Sequence, residues 1–222
     1  MALRSGAGRG PAHLKRIAQG PALTAPTTLD PTFLAPNTVL SNGNLTVMRI
    51  SSAVASVARA TRAIPPEGAF WEVTVDAYTT AINNRLGVAD SGNSAVNGGV
   101  GVGGNLTSGG LDMTAAKIYG GSRSGMGAPG NIAVGATLLF LYLPTVRHLH
   151  IFNPANGWDV GGGGTISPDG GASVYASIGP SCYPAATPTD VGAQYTFNFG
   201  ASPWVNTAAV ATCVAAGYHA LS

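Results

Sequence analysis

GAFWEVTVDAY, residues 68–78, alternates between apolar and polar side chains. In an extended chain Trp71, Val73 and Val75 fall on one face and Glu72, Thr74 and Asp76 on the other. That period of two predicts a half-buried β-strand, and the pattern recurs on both sides of it. TVLSNGNLTVMRI (38–50) has two apolar ends around Asn42-Gly43, a strong hairpin signal. NNRLGVAD (83–90) reads as a short strand. NIAVGATLLFLYLPTV (131–146) and RHLHIFNPANGW (147–158) read as two more, with Pro144 at the join or an edge. GASVYASIG (171–179), CYPAATP (182–188) and AQYTFNFG (193–200) finish the series. In the last, Tyr195, Phe197 and Phe199 share a face, and Gly200 and Pro203 turn the chain towards Trp204. No segment sustains a period of 3.6. Strands about ten residues apart with turn signals between them predict an antiparallel two-sheet sandwich.

Composition agrees. The 222 residues are enough for one sizeable domain with appendages. Glycine (32) and proline (15) are plentiful, and charged residues make up 9%, against the usual quarter. So few charges mean a surface covered by Ser, Thr, Asn and Gly or by other protein chains. Residues 91–131 stand out, with 13 glycines and little periodicity beyond AAKIYGG. They read as a long loop, the kind that is functional or forms an interface.

The charge is divided. Residues 1–29 hold Arg4, Arg9, Lys15 and Arg16 and no acid; residues 30–222 hold seven basic residues and nine acids. The division predicts an extended basic N-terminal arm of +4, studded with Gly and Pro, docking on an acidic partner, ahead of a body of −2. A near-neutral body argues against nucleic-acid binding through it. HLKRIAQGPALTAPTT (13–28) lacks the apolar core of a secretory leader. The most apolar stretch, 132–143, is too short to span a bilayer, so no membrane insertion is expected. Cys182 and Cys213 fit no metal or redox spacing, and either pairing or a reduced state is open to them.

The order of the strands resembles the SPRY domain, a concanavalin-like jelly-roll β-sandwich, and in particular the SPRY-like domains of tailed-phage virion proteins. LDPTFLAPNTVLSNGNLTV (29–47) looks like the family's opening, and GAFWEVTVDA (68–77) like its signature strand, an aromatic pair followed by Glu. NRLGVAD (84–90) is similar to the hydrophobic-Gly-Val-Ala strand. VGATLLFLYLPTVRHLHIFNPANGW (134–158) looks like the paired strands that end in an aromatic-x-Asn-Gly hairpin. CYPAATP and YTFNFGASPW (195–204) look like the closing strands. The resemblance covers about Asp30 to Trp204. It implies an all-β SPRY-type sandwich over 30–222 with the arm, 1–29, outside it.

Candidate chemistry is thin. Glu72 and Asp76 share a face, but four residues of strand separate them by about 13 Å. Glycosidase carboxylates need about 5–5.5 Å or about 6.5–9.5 Å. No catalytic residues and no enzyme are therefore expected. Gly99, Gly101 and Gly104 have the G-x-G-x-x-G spacing, but NLTSGGLDM (105–113) does not open the helix that a dinucleotide needs. No cofactor is expected. His148 and His150 share a strand face without a third ligand near in sequence, so no metal is expected either. Tyr119, Arg123 and Trp158 sit in or beside Gly-rich stretches. The resemblance implies partner contacts through such loops, and an aromatic-plus-Arg set suits them. For Trp158, capping the sandwich edge is the alternative.

These readings lead to one expectation, a non-enzymatic structural protein on the surface of a tailed-phage virion, made in the host cytoplasm. It would serve as capsid decoration, head fibre or tail component. Its arm would anchor it to other virion proteins, and the domain would be exposed, in a homo-oligomer. A receptor- or glycan-binding module mediating host adhesion is the alternative. An enzyme acting on host polysaccharide ranks third.

Overall fold

The structure is a computed structural model that describes residues 25–52, 57–81, 83–92, 102, 108–114, 116–119, 122–125, 132–155, 157–158 and 181–222. The hairpin forms where expected, β1 (Thr38–Ser41) against β2 (Thr46–Arg49). Its turn needs left-handed backbone at three successive residues, Asn42, Gly43 and Asn44 (φ 52°, 62° and 64°). Asn and Gly are the residues that tolerate this. Next come β3 (Ala58–Arg59), β4 (Ala69–Ala77), β5 (Arg85–Asp90), β6 (Ser108–Asp112), β7 (Ala116–Tyr119) and β8 (Ser122–Gly125). Then follow β9 (Thr137–Leu143), β10 (His148–Asn153), β11 (Gly157–Trp158), β12 (Cys182–Thr187) and β13 (Gln194–Asn198). Helix α1 (Thr207–Ala215) and β14 (His219–Ala220) close the chain.

Two sheets result. The first runs β1-β2-β13-β4-β9-β10-β11, with β14 added parallel to the start of β4. The second runs β3-β12-β5-β6-β7-β8. Apart from β14, the strand pairs are antiparallel. The alternation in β4 works as predicted. Trp71, Val73 and Val75 enter the core, opposed across β13 by Phe197 at Val73 and Tyr195 at Val75. Phe140 stacks on Trp71, 5.6 Å between ring centroids. Leu86, Val88, Leu111 and Cys182 meet them from the second sheet. Each such side chain, fully buried, contributes about 1.5–3 kcal/mol.

The structure departs from the sequence reading in three places. Residues 91–131 do not form one loop; β6, β7 and β8 lie within them. Among the described residues, Gly109 and Gly110 are strand residues of β6 that come close to the backbone of β5. A Cβ on Gly87 would lie 2.2 Å from the Gly109 carbonyl oxygen, and one on Gly110 would lie 2.4 Å from that of Leu86. Thr28 and Leu29, placed in the arm by the sequence reading, pack with the body. Leu29 is fully buried and bridges to Ala60, and Thr28 accepts from the Thr61 N–H at 2.7 Å. Finally, α1 follows Trp204. It carries no charge and buries only Ala209, Val210 and Cys213, so its apolar stripe is faint in the sequence. The readable signal lay elsewhere. All seven residues of β9, TLLFLYL, are buried, and a strand that is apolar on both faces must be covered on both. The helix is that second cover, packed with Phe70 on Leu139, Leu141 and Leu143.

Candidate functional site

Glu72 sits on the outer face of β4 and is 1% exposed. Its carboxylate accepts from the backbone N–H of Val205 (3.0 Å) and Asn206 (2.7 Å) and from the Asn206 side-chain amide (2.9 Å). Asn206 is the N-cap of α1 and makes no side-chain cap of its own. Glu72 therefore does from the sheet what a glutamate inside the first turn does in a capping box. Its negative charge also lies at the helix's positive end. The same Asn206 amide donates to the Thr137 carbonyl oxygen at 3.0 Å, which fastens the helix to β9. Asp76 has a different environment, accepting from the Thr196 hydroxyl at 2.7 Å. Thr46, Thr196, Thr74 and Thr137 follow each other in register across β2, β13, β4 and β9. Their hydroxyls pair at 2.8 Å (Thr46 with Thr196) and 2.9 Å (Thr74 with Thr137). This part of the outer face is a hydrogen-bonded hydroxyl ladder.

His148 and His150 lie on the same face as expected, but they are buried, with ring centroids 5.9 Å apart and edge-on. Among the described residues no three His, Cys, Asp or Glu side chains gather as a metal site would require. Cys182 and Cys213 are not joined in a disulfide, and both are buried. Burial pushes the Cys182 thiol up to about 11, against the opposing effect of its hydrogen bond to Tyr142, and that of Cys213 up to about 12. Thiols so raised are poor nucleophiles at neutral pH.

At one end of the sandwich Asp190 ties two loops together. It accepts from the N–H groups of Thr79 (3.0 Å) and Thr80 (2.5 Å) and from the Asn84 amide (2.7 Å). Burial alone would raise its carboxyl. These donors outweigh burial and hold it below the usual carboxylate range.

The partner residues read from the sequence fall in separate places. Arg4, Arg9, Lys15 and Arg16 lie outside the described residues, as do Gly99, Gly101 and Gly104 and the segment 171–179. Tyr119 ends β7, in register with Ser122 and Gly109, and Arg123 stands in β8 opposite Ile118. Trp158 belongs to the other sheet. It is half-buried in β11, edge-on to Phe152 at 5.3 Å, and it packs at the margin of the apolar cluster beneath α1.

One arrangement was missed. Arg59 in β3 lies between two rings, its Cζ 3.8 Å from the centroid of Phe33 and 4.6 Å from that of Tyr183. All three residues are half-buried. They are far apart in sequence, so no spacing announces them. The pairing of β3 with β12 and the passage of the chain before β1 bring them together. Register then sets Arg59, Ala185, Gly87, Gly110, Ile118 and Arg123 in one row across all six strands of the second sheet.

No protein-family model matches the chain, and no curated protein matches it by sequence. Solved structures do. The SPRY domain of human HERC1 is similar with a TM-score of 0.57 and 9% identity, over 79% of this chain and 99% of that one. Stonustoxin is similar with a TM-score of 0.56 and 16% identity, over 78% of this chain and 27% of that one. The PSpry domain of TRIM65 gives a TM-score of 0.55 and 14% identity, over 78% of this chain and 91% of that one. The fold is thus a SPRY-like β-sandwich of two antiparallel sheets. That class fixes a scaffold, and function lies in what is built on it.

Proposed function

We propose that this chain is a non-enzymatic structural protein of a tailed-phage virion, held on the particle by its N-terminal arm with the SPRY-like sandwich exposed as an interaction surface. The observation that carries this reading is where the charge lies relative to the fold. Among the described residues, the first backbone hydrogen bonds into the sandwich are those of Thr28 and Leu29. Arg4, Arg9, Lys15 and Arg16 all precede it, while the body has nine acids to seven basic residues. A basic segment ahead of a closed, weakly charged domain suits an anchor to an acidic virion partner. The strand motifs, in the order seen in virion SPRY-like domains, support the setting. The engagement of Glu72 at the helix start supports a scaffolding role for that carboxylate. In this reading copies of the chain assemble on the particle surface after synthesis in the host cytoplasm, and no cofactor is needed.

The test deletes residues 2–24, which leaves Leu29 in place, and measures copurification with particles. Loss of the protein from particles, with an unchanged melting temperature, is the expected result. Full occupancy would sink the anchor. Adhesion to host glycan or receptor is the second reading, favoured by half-buried Trp158 at the rim of the first sheet. Glycan-array binding that disappears in Trp158→Ala would favour it.

A further inference from the structure

We propose that Arg59, clasped by Phe33 and Tyr183, is a docking point for an acidic side chain of a protein partner. Three other arginines of the body, Arg49, Arg62 and Arg85, donate to oxygens. Arg49 donates to the carbonyls of Ser51 (3.0 Å) and Pro188 (3.2 Å). Arg85 donates to Asn83 (2.8 Å) and Val102 (3.3 Å), and Arg62 to the carbonyl of Ser222. Arg59 has ring faces instead. Its Nε and Nη1 are buried and have no hydrogen-bond partner among the described residues. Ring faces attract the cation but do not replace hydrogen bonds, and a buried donor left unmade carries a penalty. A carboxylate oxygen that accepts from either donor removes part of that penalty, and a hydrogen bond between two charged groups is among the stronger ones.

The surroundings are organised for this. The Arg59 main chain is pinned on both sides, by its pairing with Ala185 and by the Asp30 N–H that donates to its carbonyl at 2.8 Å. Phe33 packs on a small cluster of Val57, Ala89, Val102 and Ala185. The guanidinium is therefore held on rigid strands just beneath the surface. Both covering rings are themselves half-buried, so a small ring movement opens a way to these donors. An arginine flanked by aromatics is a frequent composition of interface hot spots, and partial desolvation strengthens its bond to an anion.

The body's charge selects the kind of anion. With nine acids against seven basic residues, it lacks the excess of positive charge that a nucleic acid needs, whereas an acidic residue on a peptide needs only one positive site between apolar rings. The proposal stands whether or not the chain is a virion component.

The full-length chain, labelled with ¹⁵N-arginine, is titrated with an acetylated tetraglutamate peptide amide while the Nε–H resonances are followed by NMR. The Arg59 resonance is expected to shift and saturate, and tetraglutamine is expected to leave it in place. Arg59→Gln should weaken peptide binding by about ten-fold or more, while Arg62→Gln changes it less than about two-fold. Should Arg59→Gln fail to fold, Tyr183→Leu removes one ring and must weaken binding by itself. An equal shift with tetraglutamine, an equal shift with a thymidine oligonucleotide, or no shift at millimolar peptide would each overturn the proposal.

Discussion

Removing the Glu72 carboxylate takes an acceptor from two backbone N–H groups and from the side-chain amides of Asn206 and Asn198, at a residue 1% exposed. Glu72→Ala should therefore lower stability by about 3 kcal/mol. Glu72→Gln keeps an acceptor oxygen and should cost about 1 kcal/mol. Urea denaturation midpoints measure both, and equal losses for the two variants would contradict the capping role. Asp190 behaves differently, because its effect depends on pH. Its folded carboxyl is held below the ordinary value by the donors of Thr79, Thr80 and Asn84. Its contribution is then complete above an unfolded value of about 4, and it fades as pH falls through the lower folded value. The stability gap between the native chain and Asp190→Asn should be widest at neutral pH and should narrow below about pH 4. A gap that does not change with pH would exclude this linkage.

Among the elements, glycine separates what sequence reveals from what it hides. Gly43 sits in a turn at φ 62° with open space around it; Gly87 sits in β5 against the backbone of β6. Both are glycine in the sequence, yet the physical demand differs. Gly43→Ala adds only left-handed strain, about 1–2 kcal/mol. Gly87→Ala forces two strands apart and should cost about 3 kcal/mol, the upper range of overpacking. Thermal unfolding of the two variants checks the order; a reversal would mean that β5 and β6 are not so closely packed. The same ambiguity explains why the first sheet was legible and half of the second was not. In β4 and β13 large side chains mark every inward position, so period and face are both readable. In β6 close approach replaces side-chain packing, and SGGLD carries no alternation to read. The helix escaped because Ala209, Val210 and Cys213 make a weak stripe, although doubly buried β9 required some cover. At the candidate surface, Arg123, read as a loop residue, stands in β8, and the Arg59 clasp was not legible, because it arises from the pairing of β3 with β12.

For the whole molecule, the question is where the arm ends and the domain begins. Charge placed the boundary after Leu29, since no acid precedes Asp30. Packing places it earlier. Leu29 is fully buried, its N–H donates to the Asn44 carbonyl at 2.8 Å, and Thr28 accepts from Thr61. These contacts join the first hairpin to the edge strand of the second sheet, so the segment staples one sheet to the other. Two deletions that differ by only five residues should then behave very differently. Deleting 2–24 removes the four basic residues and none of these contacts, and the melting temperature should stay where it is. Deleting 2–29 removes a fully buried leucine and three hydrogen bonds, a loss of about 3 kcal/mol. For a domain of this size that lowers the melting temperature by about 6–12 °C. Calorimetry on the two truncations measures the difference directly. If both melt with the full-length chain, Leu29 is not a staple, and the domain starts at Asp30 as its charge suggested. If both melt early, residues before 25 also support the sandwich, and a purely anchoring arm is wrong.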